Sequence, residues 1–214
     1  MTTVAGAALS RPPLTIVGIT GGGGAGKSTA LGVLADMGAT VIDCDAVYHE
    51  LVEVGGPMLD ELAARFSGVV EDDNLNRKAL GQIVFHDPKA LTDLNTITHG
   101  YVCQEVDKRL AALVGGGVSD APYPPILAAI EAIALFESGL AERCTVTVGI
   151  LAPMETRIQR IIAKGVAPAY AKAKIKSQKN DAFFWENCDY ILENTYATQT
   201  AFAEACRTLF ERIL

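Results

Sequence analysis

Paired cysteines are missing from this 214-residue chain. Its five (Cys44, Cys103, Cys144, Cys188 and Cys206) are odd in number, widely scattered and form no CxxC. That argues against a disulfide framework or a zinc site and for buried thiols in a reducing compartment. An excess of basic charge is missing too: 18 Lys and Arg stand against 25 Asp and Glu, a net charge of -7. This disfavours a general nucleic-acid or anionic-membrane surface, so an anionic small ligand would need a locally basic pocket. The longest apolar run, PPILAAIEAIALF, is too short to span a bilayer and carries Glu131. MTTVAGAALSRPP has neither the charged start nor the long apolar stretch of a secretory leader, and residues 1–13 read as a loose tail. Repeats and low-complexity segments are absent. These features describe a cytoplasmic protein without nucleic-acid or membrane partners, a monomer or small homo-oligomer. With 50% hydrophobic and 20% charged residues, the length suits one globular domain.

What is present is an alternation of strands and helices. LTIVGI (14–19) is short, β-branched and stopped by glycines, the pattern of a buried parallel strand. A helix is predicted from about Gly26 to Gly38, with Leu31, Leu34 and Ala35 inward, followed by a strand at 39–43. From Asp45 to residue 114 the pattern is helical, with turn signals at VGGP and SGVVEDDN. The connector GGGVSDAPYPP is rich in glycine and proline. Further strands are predicted at the start of ILAAIEAIALF, at CTVTVGIL and at DYILEN. The helices PMETRIQRIIAKG and PAYAKAKIKSQK lie between the last two, and an amphipathic helix closes the chain. The order implies an α/β fold, a five-stranded mostly parallel sheet flanked by helices, with a helical insert after the second strand.

Gly21, four residues, Gly26, Lys27 and Ser28 match G-x-x-x-x-G-K-[ST], placed between a predicted strand and a predicted helix. This is the phosphate-binding P-loop, and with it the sheet reads as a P-loop NTPase fold. Side-chain-free positions let backbone N–H groups converge on phosphate oxygens, and the helix that follows points its positive end there. Gly22, Gly23, Gly24, Ala25, Gly26, Lys27, Ser28 and Thr29 are therefore the candidate ATP site. Lys27 would reach the outer phosphates, and Ser28 is the candidate Mg²⁺ ligand. The plainer alternative is a glycine-rich turn that lets a strand meet a helix closely; the position between a predicted strand and a predicted helix favours phosphate binding.

Asp43 and Asp45 stand at the carboxyl end of the second strand, where ligands bind in open α/β sheets. If the strand continued, both would point the same way. One could then take a proton from an acceptor hydroxyl while the other supports Mg²⁺; the plainer reading makes Asp45 a helix cap. Glu131 ends an apolar strand at the same edge. Five lysines (164, 172, 174, 176 and 179) beside Arg157 and Arg160 are either a solvated helix face or a cationic lid for polyphosphate. His99 has no task outside its motif, and His49 and His86 read as structural. Phe183, Phe184 and Trp185 read as packing residues.

Beyond the P-loop, HELVEVGGPMLDELAARFSGVV and LNRKALGQIVFHDPKALTDLNTITH resemble the dephospho-CoA kinase family. The resemblance runs from about Leu14 to the end and is strongest to residue 99. It implies a single kinase domain at 14–214, an acceptor-binding insert at 45–114 and a lid region at 164–187. It further implies transfer of the ATP γ-phosphoryl group to the ribose 3′-hydroxyl of dephospho-CoA, with Asp45 as base. Asp45, Arg77, His99 and Glu131 are the implied substrate-binding positions, and Arg160 with Lys164 the implied lid charges. Departures occur after residue 99. The family's HP..R is HGYVCQ here, and its D.PLLFE is EAIALFE. Lys164 and Lys174 replace arginines, whose bidentate grip lysine cannot reproduce. The alternatives are a P-loop kinase of a nucleoside or nucleotide, a nucleotide-gated switch and a degenerate nucleotide-binding scaffold. The switch reading lacks the guanine-reading N-K-x-D element.

Overall fold

A computed structural model describes residues 13–71, 74–115 and 125–214. The expected tail, most of the 115–125 connector and part of the SGVVEDDN turn lie outside those residues. Five strands form one parallel sheet in the order β2-β5-β1-β6-β7: β1 (Leu14–Thr20), β2 (Thr40–Asp43), β5 (Ile126–Glu131), β6 (Val146–Leu151) and β7 (Tyr190–Glu193). Because the sheet is covered on both faces, its central strands are apolar throughout rather than alternating. All six residues of β6 are buried.

Helices α1 (Lys27–Asp36) and α9 (Gln199–Ile213) pack on one face, where Leu34 and Phe210 meet Val17, Val148 and Ile150 in one core. The inward residues of α1 are Ala30, Val33 and Leu34; the sequence pattern had placed Ala35 there, and it is exposed. On the other face lie α2 (Cys44–Glu53), α5 (Pro88–Val114) and a short 3₁₀ turn (Leu140–Arg143), with Ile42, Val106, Ile130 and Leu135 between them.

The insert folds around its own core of Met58, Leu62, Phe66 and Leu80, built by α2, α3 (Pro57–Arg65), α4 (Arg77–His86) and α5. Its helices begin on clear local signals. Asn76 accepts from the Ala79 amide at 3.0 Å, and Asp87 accepts from Lys89 and Ala90 at 2.8 and 3.1 Å with Pro88 next in sequence. The insert is not wholly helical. β3 (Val70–Glu71) and β4 (Asn74–Leu75) pair as a small antiparallel hairpin in the stretch read from sequence as a turn. Finally, α6 (Met154–Ala163) and α7 (Pro168–Lys176) pack through Ile158, Ile161, Ala171 and Ile175, ahead of α8 (Asp181–Asn187).

Candidate active site

The loop between β1 and α1 is held from behind by side chains distant in sequence. Arg157, 6% exposed, donates from Nε to the Gly23 carbonyl at 3.1 Å and from Nη2 to Gln178 Oε1 at 2.6 Å. The same Gln178 oxygen accepts from the Gly23 N–H at 3.0 Å. Arg160 Nη1 donates to the Gly24 and Ala25 carbonyls at 3.1 and 3.2 Å. Asn194, 4% exposed, donates to the Ala25 carbonyl at 2.8 Å, and its buried Oδ1 has no hydrogen-bond partner among the described residues. This crowding explains the glycines. A Cβ on Gly22 would fall 2.0 Å from Arg157 Nη2. Gly24 has φ +76° and would place a Cβ 2.7 Å from the Arg157 carbonyl oxygen, so both conformation and space demand glycine.

Lys27 lies inside the loop. Its Nζ donates to the Gly21 carbonyl at 3.0 Å, lies 3.5 Å from that of Gly22, and pairs with Glu131 Oε1 at 3.3 Å. Burial pushes the Glu131 carboxyl above its ordinary range; Lys27 pulls it down, while Asp43 and Asp45 push it further up. Glu131 ends β5, directly across the ladder from Asp43 at the end of β2. Ser28 and Thr29 occupy the first turn of α1, with the Ser28 side chain exposed.

The two aspartates do not share a strand face, as a continuing strand would have required. The chain turns into α2 at Cys44, and Asp43 is the cap: its Oδ1 accepts from the Asp45 and Ala46 amides at 2.9 and 3.2 Å. The capping role weighed for Asp45 thus falls to its neighbour. Asp45 is left in the first helical turn, lining a cavity of about 190 Å³ with Glu131, Tyr48, Thr98 and His99. Glu131 and Asp43 end adjacent strands, Glu131 paired with the loop lysine and Asp45 following in the first turn of α2.

His99 is half-buried on α5, and burial holds its imidazole below the ordinary range against an upward pull from Glu137. Arg77 opens α4 on the insert surface, close enough to draw the Tyr48 hydroxyl downward against the larger effect of burial. Lys164 is not brought to the loop: it is exposed at the C-cap of α6. The loop-facing cations are instead Arg160, one turn earlier, and Arg157, which sequence had grouped only with the cluster. Of the lysine run, Lys172, Lys174 and Lys176 are exposed on α7, and Lys179 pairs with Glu137 at 3.4 Å. Phe184 is buried and Phe183 packs edge-on against Phe136, but Trp185 is 58% exposed rather than packed. His49 and His86 each bond a helix carbonyl one turn back. All five cysteines are free thiols, and burial pushes those of Cys44, Cys188 and Cys206 up to about 12.

A glycine loop cradled at the head of a helix, a lysine within it and carboxylates at the neighbouring strand tips, all on a parallel five-stranded sheet, define a P-loop kinase. Known proteins narrow this further. The family model for dephospho-CoA kinase matches residues 15–199. Curated dephospho-CoA kinases include that of Moorella thermoacetica, 37% identical over 166 residues and 76% of each chain. That of Leifsonia xyli is 36% identical over 183 residues, 84% of this chain and 89% of the relative. The chain belongs to the dephospho-CoA kinase family and is a phosphotransferase. Its fold resembles that of TT1252 from Thermus thermophilus, with a TM-score of 0.74 and 29% identity over 96% of this chain and all of the other. A shikimate kinase from Acinetobacter baumannii shares the architecture at a TM-score of 0.55 and 15% identity, covering 94% of each chain. Among the described residues, no helix is long and apolar enough to cross a membrane.

Proposed function

We propose that this chain transfers the γ-phosphoryl group of ATP to the ribose 3′-hydroxyl of dephospho-CoA, with the loop as nucleotide cradle and Asp45 as base. The observation that carries this reading is the placement of Asp45. Freed from capping by Asp43, it lines a cavity that also touches Glu131, the partner of the loop lysine. An acceptor hydroxyl in that cavity would sit between the base and the transferred group.

Positioning and charge neutralisation supply most of the rate in such a transfer. The amides of residues 22–29 and the positive end of α1 hold phosphate oxygens. Lys27 leaves the Gly21 carbonyl to follow the outer phosphates, and Arg160 stands beside the loop on the Gly24 and Ala25 carbonyls. The donors near the loop are all oxygen, the hard set Mg²⁺ prefers: the Ser28 hydroxyl and the carboxylates of Glu131 and Asp43. No cluster of three acidic, cysteine or histidine ligands occurs among the described residues. Mg²⁺ typically keeps several waters and takes few protein ligands, so this sparse set fits it. When bound, it would neutralise charge on the phosphates. The insert at 45–114 receives the acceptor, with His99 in the cavity wall and Arg77 on the exposed start of α4, and residues 164–187 form the lid. The cytoplasm, where ATP is made available, suits this activity.

An assay coupling ADP release to dephospho-CoA, with nucleosides and nucleoside monophosphates alongside, tests the assignment. Turnover is expected with dephospho-CoA alone among these acceptors, and Asp45→Asn should lower kcat by about 10³-fold, within the range for a lost general base. A preference for another acceptor would replace the substrate; an unchanged Asp45→Asn rate would remove the base.

A further inference from the structure

Among the described residues, Arg157 is the one charged side chain that is buried, at 6% exposed. Arg65, Arg109 and Arg143, all more exposed, each grip a carboxylate. Arg157 forms no ion pair among the described residues. Burial pulls its guanidinium below the ordinary range, against an upward pull from Asp181. A desolvated cation without a counter-ion is costly to keep, so its place asks for an anion from outside the fold.

That place is the glycine loop. The Arg157 Nε is spent on the Gly23 carbonyl at 3.1 Å. Its Nη2 and the Gly23 N–H converge on one oxygen, Gln178 Oε1, at 2.6 and 3.0 Å. The meeting point lies against the bare face of Gly22, where an added Cβ would fall 2.0 Å from Nη2 and 2.9 Å from that oxygen. A main-chain amide and a guanidinium closing on a single acceptor is the way a phosphate oxygen is held. Of the five guanidinium N–H groups, two are engaged among the described residues, so the fork can take a second oxygen. Lys164, at the end of α6, and Lys174, on α7, are exposed point charges without such a fork.

From this geometry we infer that Arg157 is a phosphate-binding residue of this chain, and that the Gln178 carboxamide oxygen keeps the place a non-bridging oxygen of the triphosphate takes. The inference rests on the proposed function, in which the loop cradles ATP. The phosphate oxygen displaces Gln178, while Nη2 and the Gly23 amide stay where they already point. Arg157 and Gln178 therefore act in opposite directions on the nucleotide: one holds it, and the other competes with it.

Two substitutions with opposite expected signs test this, by steady-state kinetics with thermal midpoints to establish folding. Arg157→Lys keeps the charge and loses the fork, and should raise the KM for ATP at least about tenfold, the scale of a lost hydrogen bond to a charged group. Gln178→Ala removes the competing oxygen and should lower the KM for ATP about threefold, the scale of one neutral hydrogen bond. Inhibition by inorganic tripolyphosphate should move the same way in each variant, because the nucleoside end plays no part. The KM for dephospho-CoA should stay within about twofold in both, as should every constant of Lys172→Ala, which removes an exposed charge from α7. If the pair merely braced the loop, both substitutions would weaken ATP binding. A wild-type KM for ATP in folded Arg157→Lys overturns the inference, and so does an unchanged or raised one in Gln178→Ala. Should Arg157→Lys not fold, the sign of the Gln178→Ala effect decides alone. Wild-type protein that binds neither ATP nor tripolyphosphate would instead refute the nucleotide cradle, so the two failures are separable.

Discussion

The nucleotide side and the acceptor side of the site are built in opposite ways. Around the loop, Arg157, Arg160, Gln178 and Asn194 reach across more than a hundred residues of sequence to fix individual carbonyls and one amide, and the glycines leave no spare room. Around the acceptor, the walls are the faces of α2 and α5, the cavities are open, and the polar groups bond chiefly to their own helices. A phosphate chain has one shape, and a rigid cradle meets it without reorganisation. The departures after residue 99 fall on both sides: HGYVCQ lies on α5, Lys164 and Lys174 are exposed, and Glu131 of EAIALFE reaches the loop lysine.

The sharpest way to break this comparison is to remove the cation inside the rigid half. Lys27→Ala should lower phosphoryl transfer about 10⁴-fold, as loss of a transition-state cation does in phosphoryl transfer, while the protein remains folded by circular dichroism. Turnover at the wild-type rate would refute the cradle. The Asp45→Asn loss described above comes next. Gly24→Ala tests the packing itself: positive φ together with the backbone contact should cost about 1–3 kcal/mol of stability in urea unfolding. A stability equal to wild type would show that the loop is softer than its contacts imply. The smallest effect belongs to the adaptable half. The folded His99 imidazole titrates below its ordinary 6.5, so the folded state binds fewer protons there than the unfolded chain. Its contribution is complete above pH 6.5 and is lost as pH falls through the folded value. His99→Gln should therefore flatten that part of the stability–pH curve; equal slopes for the two proteins would contradict it.

Sequence order was enough to foresee the five parallel strands, the loop and its lysine, because these depend on local patterns: β-branched runs, glycine spacing and a helix start. It misled where two local rules competed. The period-2 argument put Asp43 and Asp45 on one face, but Asp43 caps α2 and the strand ends there. The β3–β4 hairpin, with two residues in each strand, is too short to show a period. The exposed Trp185 and the inward Ala30 and Val33 are one-position shifts on short helices. The Arg157–Gln178–Gly23 clamp and the Lys27–Glu131 pair were beyond reach, since nothing local records which residue of α6 or β5 will meet the loop.

That clamp has a consequence for selectivity. In this conformation the Gly23 amide and the Lys27 ammonium are already engaged, one by a carboxamide oxygen and the other by a carboxylate and a carbonyl. An incoming anion has to evict these occupants, so its observed affinity is a difference between two sets of bonds rather than a sum. Eviction sets a threshold: a ligand presenting several anionic oxygens in a row can replace both occupants together, whereas a lone orthophosphate gains too little from either.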